Sequence, residues 1–147
     1  TQEITQVTMR VVFDTNIIVS MALAKGGTMH ELRQKWRDGR FSVLSSREFL
    51  EEVKDVLEYP RLDALLTPAL KQTALEELES LAERVLLKNP FPVFEADEDD
   101  RYLLAMVRDG EADCLVTGDK KLLDLHSFEG KPMLTAAQFV ALLEEDQ

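Results

Sequence analysis

The sequence predicts a three-layer α/β/α sandwich with a short central parallel sheet, and three observations carry that prediction. Apolar runs too brief for helices alternate with stretches of helical periodicity. Two of those runs end in an aspartate at, or one glycine beyond, their carboxyl end. The 147 residues contain no internal repeat and no Gly/Ser linker, and so fit one ordinary domain. Short buried strands alternating with helices pack as a parallel sheet covered on both faces, joined by right-handed crossovers. In such sheets ligands collect at the carboxyl ends of the strands.

Residues 1–8 read as a peripheral N-terminal segment or tag, and 9–147 as the domain. Met9 to Phe13 is a β-branched and aromatic run that reads as a buried strand ending at Asp14. Ile17 to Ala24 is apolar and closes at Gly26-Gly27. Thr28 then caps a second helix through about Asp38, stopped by Gly39. Phe41 to Leu44 is the next strand. Ser45 or Ser46 caps a helix whose Phe49, Leu50, Val53, Val56 and Leu57 fall at helical spacing, and Pro60 ends it. Pro68 opens a long amphipathic helix with Leu70, Leu75, Leu78, Leu81 and Val85 on one side. The acidic run Glu95 to Asp100 leads into a helix carrying Leu103, Leu104, Met106 and Val107, ended near Gly110. Cys114 to Thr117 is a strand, Gly118-Asp119 a turn, and Lys120 to Leu125 a short helix. Met133-Leu134 forms a last short strand, and Thr135 caps the C-terminal helix.

Composition narrows the function classes. The single cysteine, Cys114, cannot form an intramolecular disulfide, and no Cys/His spacing suggests zinc, which fits a reducing cytoplasm. No stretch approaches the ~20 apolar residues of a membrane span, and the N-terminus lacks a basic segment followed by an apolar run. A cytoplasmic, unsecreted protein is expected. Lys+Arg number 17 and Asp+Glu 28, a net charge of −11, so the surface as a whole repels nucleic acid. An RNA substrate would need bound cations or a local basic patch. Arg33, Arg37, Arg40 and Arg47, with His30 and Lys35 among them, crowd one stretch that reads either as a patch contacting RNA or as a solvated helix face.

Asp14 and Asp119 stand at the ends of predicted central strands, and parallel strands bring them to one sheet edge. Each also precedes a helix and reads equally as an N-cap. Within the Ser46 helix, Glu52 is the acid nearest the Phe49, Val53, Val56 stripe at ~100° per residue, while Glu48, Glu51 and Asp55 turn further toward water. Asp99 and Asp100 both fall within the arc of Leu103, Leu104, Met106 and Val107, so that helix carries acid on its apolar side. Carboxylates in a first helical turn are also favoured by the helix dipole, and Asp97 reads as a cap. Four carboxylates meeting at one edge repel one another unless a cation sits among them. An all-oxygen donor set suits a hard ion, Mg2+ or Mn2+.

The segments VVFDTNIIVSMAL, SSREFLEEVKDVLEYPRL, DEDDRYLLAMVRDGEADCLVTGDKKLL and KPMLTAAQFVALL, in this order, resemble a PIN domain over nearly the whole chain from Met9 to about Leu143. The resemblance implies a Mg2+-dependent endoribonuclease cutting RNA, of the group that includes toxins of bacterial toxin-antitoxin pairs. It implies that Asp14, Glu52, Asp100 and Asp119 bind metal and carry catalysis. Asp100 rather than Asp99 takes the third position by its register against Leu103 and Val107. Asn16, Thr117 and Asp99 match supporting polar residues. An antitoxin segment donating arginine to these carboxylates is the implied inhibitor, and a homodimer the implied assembly. The rival readings are an inactive PIN-like interaction module and a Mg2+-dependent phosphatase. The latter needs a second acid two residues after the first, where this chain has Asn16.

Overall fold

The computed structural model describes residues 8–145. Of the expected peripheral segment only Thr8, which is exposed, lies among them. The elements in chain order are β1 (Arg10–Phe13), α1 (Thr15–Leu23), α2 (Gly27–Arg37), β2 (Ser42–Ser45), α3 (Arg47–Leu57), α4 (Pro60–Asp63), α5 (Pro68–Leu81) and β3 (Glu83–Arg84). A 3-10 turn, Glu98–Asp100, then leads into α6 (Arg101–Asp109), β4 (Cys114–Val116), α7 (Lys120–Leu123), β5 (Ser127–Phe128), β6 (Lys131–Leu134) and α8 (Ala136–Glu145). The six strands form one sheet in the order β3-β2-β1-β4-β6-β5. All neighbours are parallel except the β5/β6 pair. The expected α/β architecture with a short, mostly parallel central sheet is therefore present.

The core explains why the strands are so apolar. Val11, Val12 and Phe13 are fully buried, as are Cys114, Leu115 and Val116 of the neighbouring β4. Phe13 meets Trp36 of α2, Phe41 and Phe139 of α8 edge to face, with ring centroids 6.4, 5.8 and 6.4 Å away, an arrangement favoured by ring quadrupoles. Leu44 alternates onto the face opposite Val43. There it meets the backbone just after α6: a Cβ added to Gly110 would lie 2.6 Å from Leu44 Cδ1 and 2.7 Å from the Met106 carbonyl oxygen. Only glycine fits that approach.

The register decides what reaches the sheet edge. Phe13 pairs with Val116, and the Asp14 N–H continues the ladder by donating to the Val116 carbonyl at 3.2 Å. Asp14 and Thr117 thus leave the sheet side by side. Ser46 caps α3, its side chain accepting from the Phe49 N–H. Thr135 accepts from the Gln138 N–H while Gln138 accepts from the Thr135 N–H, a reciprocal cap at the start of α8.

Several local expectations are corrected. The second helix begins at Gly27 with Gly26 in the capping position and no side-chain cap, so Thr28 is a helical residue. Pro60 opens α4, as its fixed φ favours at a first helical position. The α5 helix stops at Leu81; Val85 lies beyond it and donates to the Ser45 carbonyl at 2.7 Å. Leu70 and Leu81 are 40% and 44% exposed, so the buried side of α5 is narrower than its leucines suggest. The helix after Asp119 ends at Leu123. The two-residue strands β3 and β5 were not foreseen, because an alternation needs more residues than they have.

Candidate functional site

Asp14 is only 5% exposed, and its two carboxylate oxygens have separate tasks. Oδ1 accepts the Ile17 N–H at 3.1 Å and caps α1, while Oδ2 accepts the hydroxyl of Thr117. Burial pushes the Asp14 carboxyl above the usual range, opposed by the Thr117 hydroxyl and by the Ile17 and Asn16 amides. Asn16 is exposed and supports Asp14 through its backbone N–H. The Thr117 oxygen also accepts the Asp119 N–H at 2.9 Å. One buried hydroxyl therefore ties together the acids at the ends of β1 and β4. Asp119 in turn caps α7 by accepting the Lys121 N–H. For both aspartates, capping and a site role are compatible: the carboxylate that starts the helix is also the one held at the sheet edge.

Asp119 shares its surroundings with Asp97 and Asp100. One carboxylate oxygen from each lies within 4.8 Å of the others. Partial burial pushes Asp100 up to about 6, with the charges of Asp97, Asp119 and Asp14 adding to the rise. Asp99 is exposed and outside this set. Of the two acids weighed by helical register, it is Asp100 whose oxygen lies beside those of Asp97 and Asp119. Asp97 was expected only as a cap. It does accept the Asp99 N–H at 3.0 Å, but its other oxygen accepts Lys121 Nζ at 2.8 Å. That bond holds Asp97 below the usual carboxylate range. No periodicity could have added Asp97 and Lys121 to the site, since Asp97 precedes a 3-10 turn and Lys121 lies in a helix of a single turn.

Glu52 stands a little apart from the three oxygens. It is half-buried, and Glu51 and Asp55 are exposed as the helical wheel predicts, but Glu48, also expected toward water, is half-buried like Glu52. Burial raises its carboxyl, and Asp55 and Asp99 add to the rise. Tyr102, buried beneath, is the common neighbour: burial drives its hydroxyl well above the normal range, and Glu52, Asp100 and Asp14 reinforce that shift. Of the four expected acids, Asp100 and Asp119 meet with Asp97 in one group of oxygens, Asp14 joins Asp119 through Thr117, and Glu52 lies outside that group.

The basic stretch divides. Arg33 and Arg37 both bind Glu77 of α5. Burial opposes ionisation of Glu77, yet the two arginines hold its carboxyl below the usual range. Arg40 precedes β2 at the opposite sheet edge and donates to the Leu143 carbonyl at 3.4 Å. Arg47 opens α3 with its side chain 72% exposed, and its one ion pair among the described residues is with Glu48, at 3.7 Å.

The donors are all carboxylate oxygens at a spacing one small ion can span, and Asp100 is held above the usual range by burial and by the charges of its neighbours. Hard cations bind such oxygens at ~2.0–2.6 Å, so this chemistry fits Mg2+ or Mn2+. Among the described residues no helix is long and apolar enough to cross a membrane.

In fold, the chain is similar to the crystal structure of PAE2754 from Pyrobaculum aerophilum, with a TM-score of 0.61 over 93% of this chain and 90% of that one, at 12% sequence identity. No curated protein matches it in sequence. The PIN domain family matches residues 10–121, from the start of β1 through Asp119 and into α7. With the nuclease-like fold and its acidic edge, the chain belongs to the PIN domain family.

Proposed function

We propose that the protein is a Mg2+- or Mn2+-dependent endoribonuclease that hydrolyses RNA phosphodiester bonds. The observation that carries this reading is the meeting of Asp97, Asp100 and Asp119 oxygens within 4.8 Å beside the buried Asp14–Thr117 pair. Asp100 and Asp119, with Asp97, would hold the ion most directly. Asp14 orients Asp119 through the Thr117 hydroxyl, and Glu52 bounds the site on the α3 side. A bound divalent ion supplies charge neutralisation at the phosphate and a more acidic water.

The chain's own residues do the rest. Asp14 and Thr117 fix the Asp119 backbone, so the carboxylates meet the substrate already oriented. The half-buried Glu52 carboxyl, raised by burial and by the charges of Asp55 and Asp99, is suited to accept a proton from an attacking water. Lys121, bonded to Asp97, would offer its ammonium group to the phosphate. Of the four arginines considered as RNA contacts, Arg47 is the one retained, because the other three are occupied within the fold or lie at the far edge.

A toxin role, an antitoxin partner, a homodimer and a cytoplasmic location are further parts of this proposal. They rest on the family resemblance and, for location, on the buried, unpaired Cys114 thiol, which burial pushes up to about 12. The test is cleavage of a mixed RNA pool in Mn2+. Activity is expected in the parent chain and absent with EDTA, in Asp14→Asn and in Asp119→Asn. Cleavage surviving all three removes the mechanism.

A further inference from the structure

A cavity of about 440 Å³ opens beside α3, on the flank away from the acids. Its apolar wall is Leu50 of α3 with Leu78 and Ala82 at the end of α5, and its rim carries Lys54 and Arg84. Glu79 is its single acid. Lys54 and Arg84 enter none of the ion pairs among the described residues. Two cations against one carboxylate leave a local excess of positive charge in a chain whose net charge is −11. Ser45 also lines the cavity. The residue is 7% exposed.

The position of this cavity relates it to the acidic edge. Ser45 ends β2 and Arg84 ends β3, in register with one another, and both strands run parallel to β1, whose end bears Asp14. Neighbouring strands lie ~4.8 Å apart, so the end of β3 is roughly 10 Å along the edge from the end of β1. The helix α3 runs between the two sites. Glu52 faces Asp99 and Tyr102 on one side, Leu50 and Lys54 face the cavity on the other, and the exposed Arg47 opens the helix.

We propose that this cavity is a nucleotide subsite that holds single-stranded RNA beside the cleavage centre, with Lys54, Arg84 and the Ser45 hydroxyl taking a backbone phosphate. The volume is in the ~300–1,000 Å³ range of small-ligand sites and admits one nucleotide. Its two cations and hydroxyl match a phosphate, while Leu50, Leu78 and Ala82 offer an apolar wall to a ribose or base. Such a site answers the problem posed by the acidic composition, because the acids alone repel the polyanion they are meant to cut. The subsite rests on the nuclease reading for its purpose but can be tested without catalysis.

The test is the affinity of the full chain for a fluorescent ten-residue oligouridylate, measured over a range of salt with Ca2+ in place of Mn2+. Lys54→Ala/Arg84→Ala is expected to weaken binding about tenfold or more. It should also lower the salt slope by roughly 0.7, the contribution of the one single-strand phosphate that these residues would hold. Ser45→Ala should weaken binding less, with its melting temperature recorded to separate misfolding. The charge-matched control Lys25→Ala/Lys131→Ala, at the opposite sheet edge, should change affinity less than twofold. Equal effects of the two double variants, or a parent chain that binds no RNA, overturn the subsite. So does displacement by an arginine-bearing peptide that binds the cavity in preference to RNA. Cleavage by the parent chain in Mn2+ reports on the nuclease reading alone, so either idea can fail while the other stands.

Discussion

Thr117 donates its buried hydroxyl to Asp14 across a sequence separation of 103 residues, and the same oxygen accepts the backbone N–H of Asp119. The β1/β4 register makes this bond possible, and through it two carboxylates on separate strands become one rigid unit.

Replacing Thr117 by the nearly isosteric valine removes both bonds at once. A buried carboxylate loses a donor and an amide loses its acceptor, a defect that costs about 1–3 kcal/mol per unsatisfied group. Urea unfolding of Thr117→Val should report that loss and Mn2+ titration a weaker affinity, with Thr117→Ser restoring much of both. A valine variant as stable as the parent would mean that the bond contributes nothing.

Asp14→Asn keeps an oxygen able to accept the Ile17 N–H and removes a charge that burial disfavours. In the absence of metal this variant should melt at the same temperature as the parent or higher. The rise in melting temperature that Mn2+ brings to the parent should vanish. A large loss of metal-free stability would make Asp14 a structural cap and nothing more.

The Asp100 carboxyl, pushed up to about 6 from 3.8, gives the metal-free protein a pH signature. A carboxyl whose folded pKa is raised binds its proton more tightly when folded. Its contribution to stability is therefore full below the unfolded value and is lost as pH rises through the folded one. Metal-free melting temperature should climb as pH falls from 7 toward 5. In Asp100→Asn the climb should shrink. If parent and variant follow the same pH curve, Asp100 does not carry the crowding.

Arg33 and Arg37 share Glu77, so their removal should be felt in folding rather than in RNA contact. Arg33→Ala, whose partner side chains are largely buried, should cost about 1–2 kcal/mol, with RNA affinity changed less than twofold. Lost affinity at unchanged stability would return these arginines to the RNA surface.

Much of the site is legible in the chain because strand ends and helical wheels are local. Asp14 and Asp119 are marked by the apolar runs they terminate, and Glu52 by its angle to Phe49 and Val53. Asp100 is marked by its register with Leu103 and Val107. Each of these follows from a period of two or 3.6 residues, which the backbone imposes wherever the element forms. The apolar order of strands and helices likewise determined a parallel, doubly covered sheet.

Only the tertiary structure decided what those elements bring together. Asp97 joins Asp100 and Asp119, and Lys121 reaches Asp97, because the 3-10 turn before α6 and the start of α7 meet at one edge. Arg33 and Arg37 turn from apparent surface charges into partners of Glu77 because α2 and α5 pack within reach of each other. Val85 leaves the helix its spacing suggested because Ser45 offers it a ladder partner. Period encodes which side of an element faces inward; which distant group waits there is set by packing and register, and these exist only once the whole core has closed.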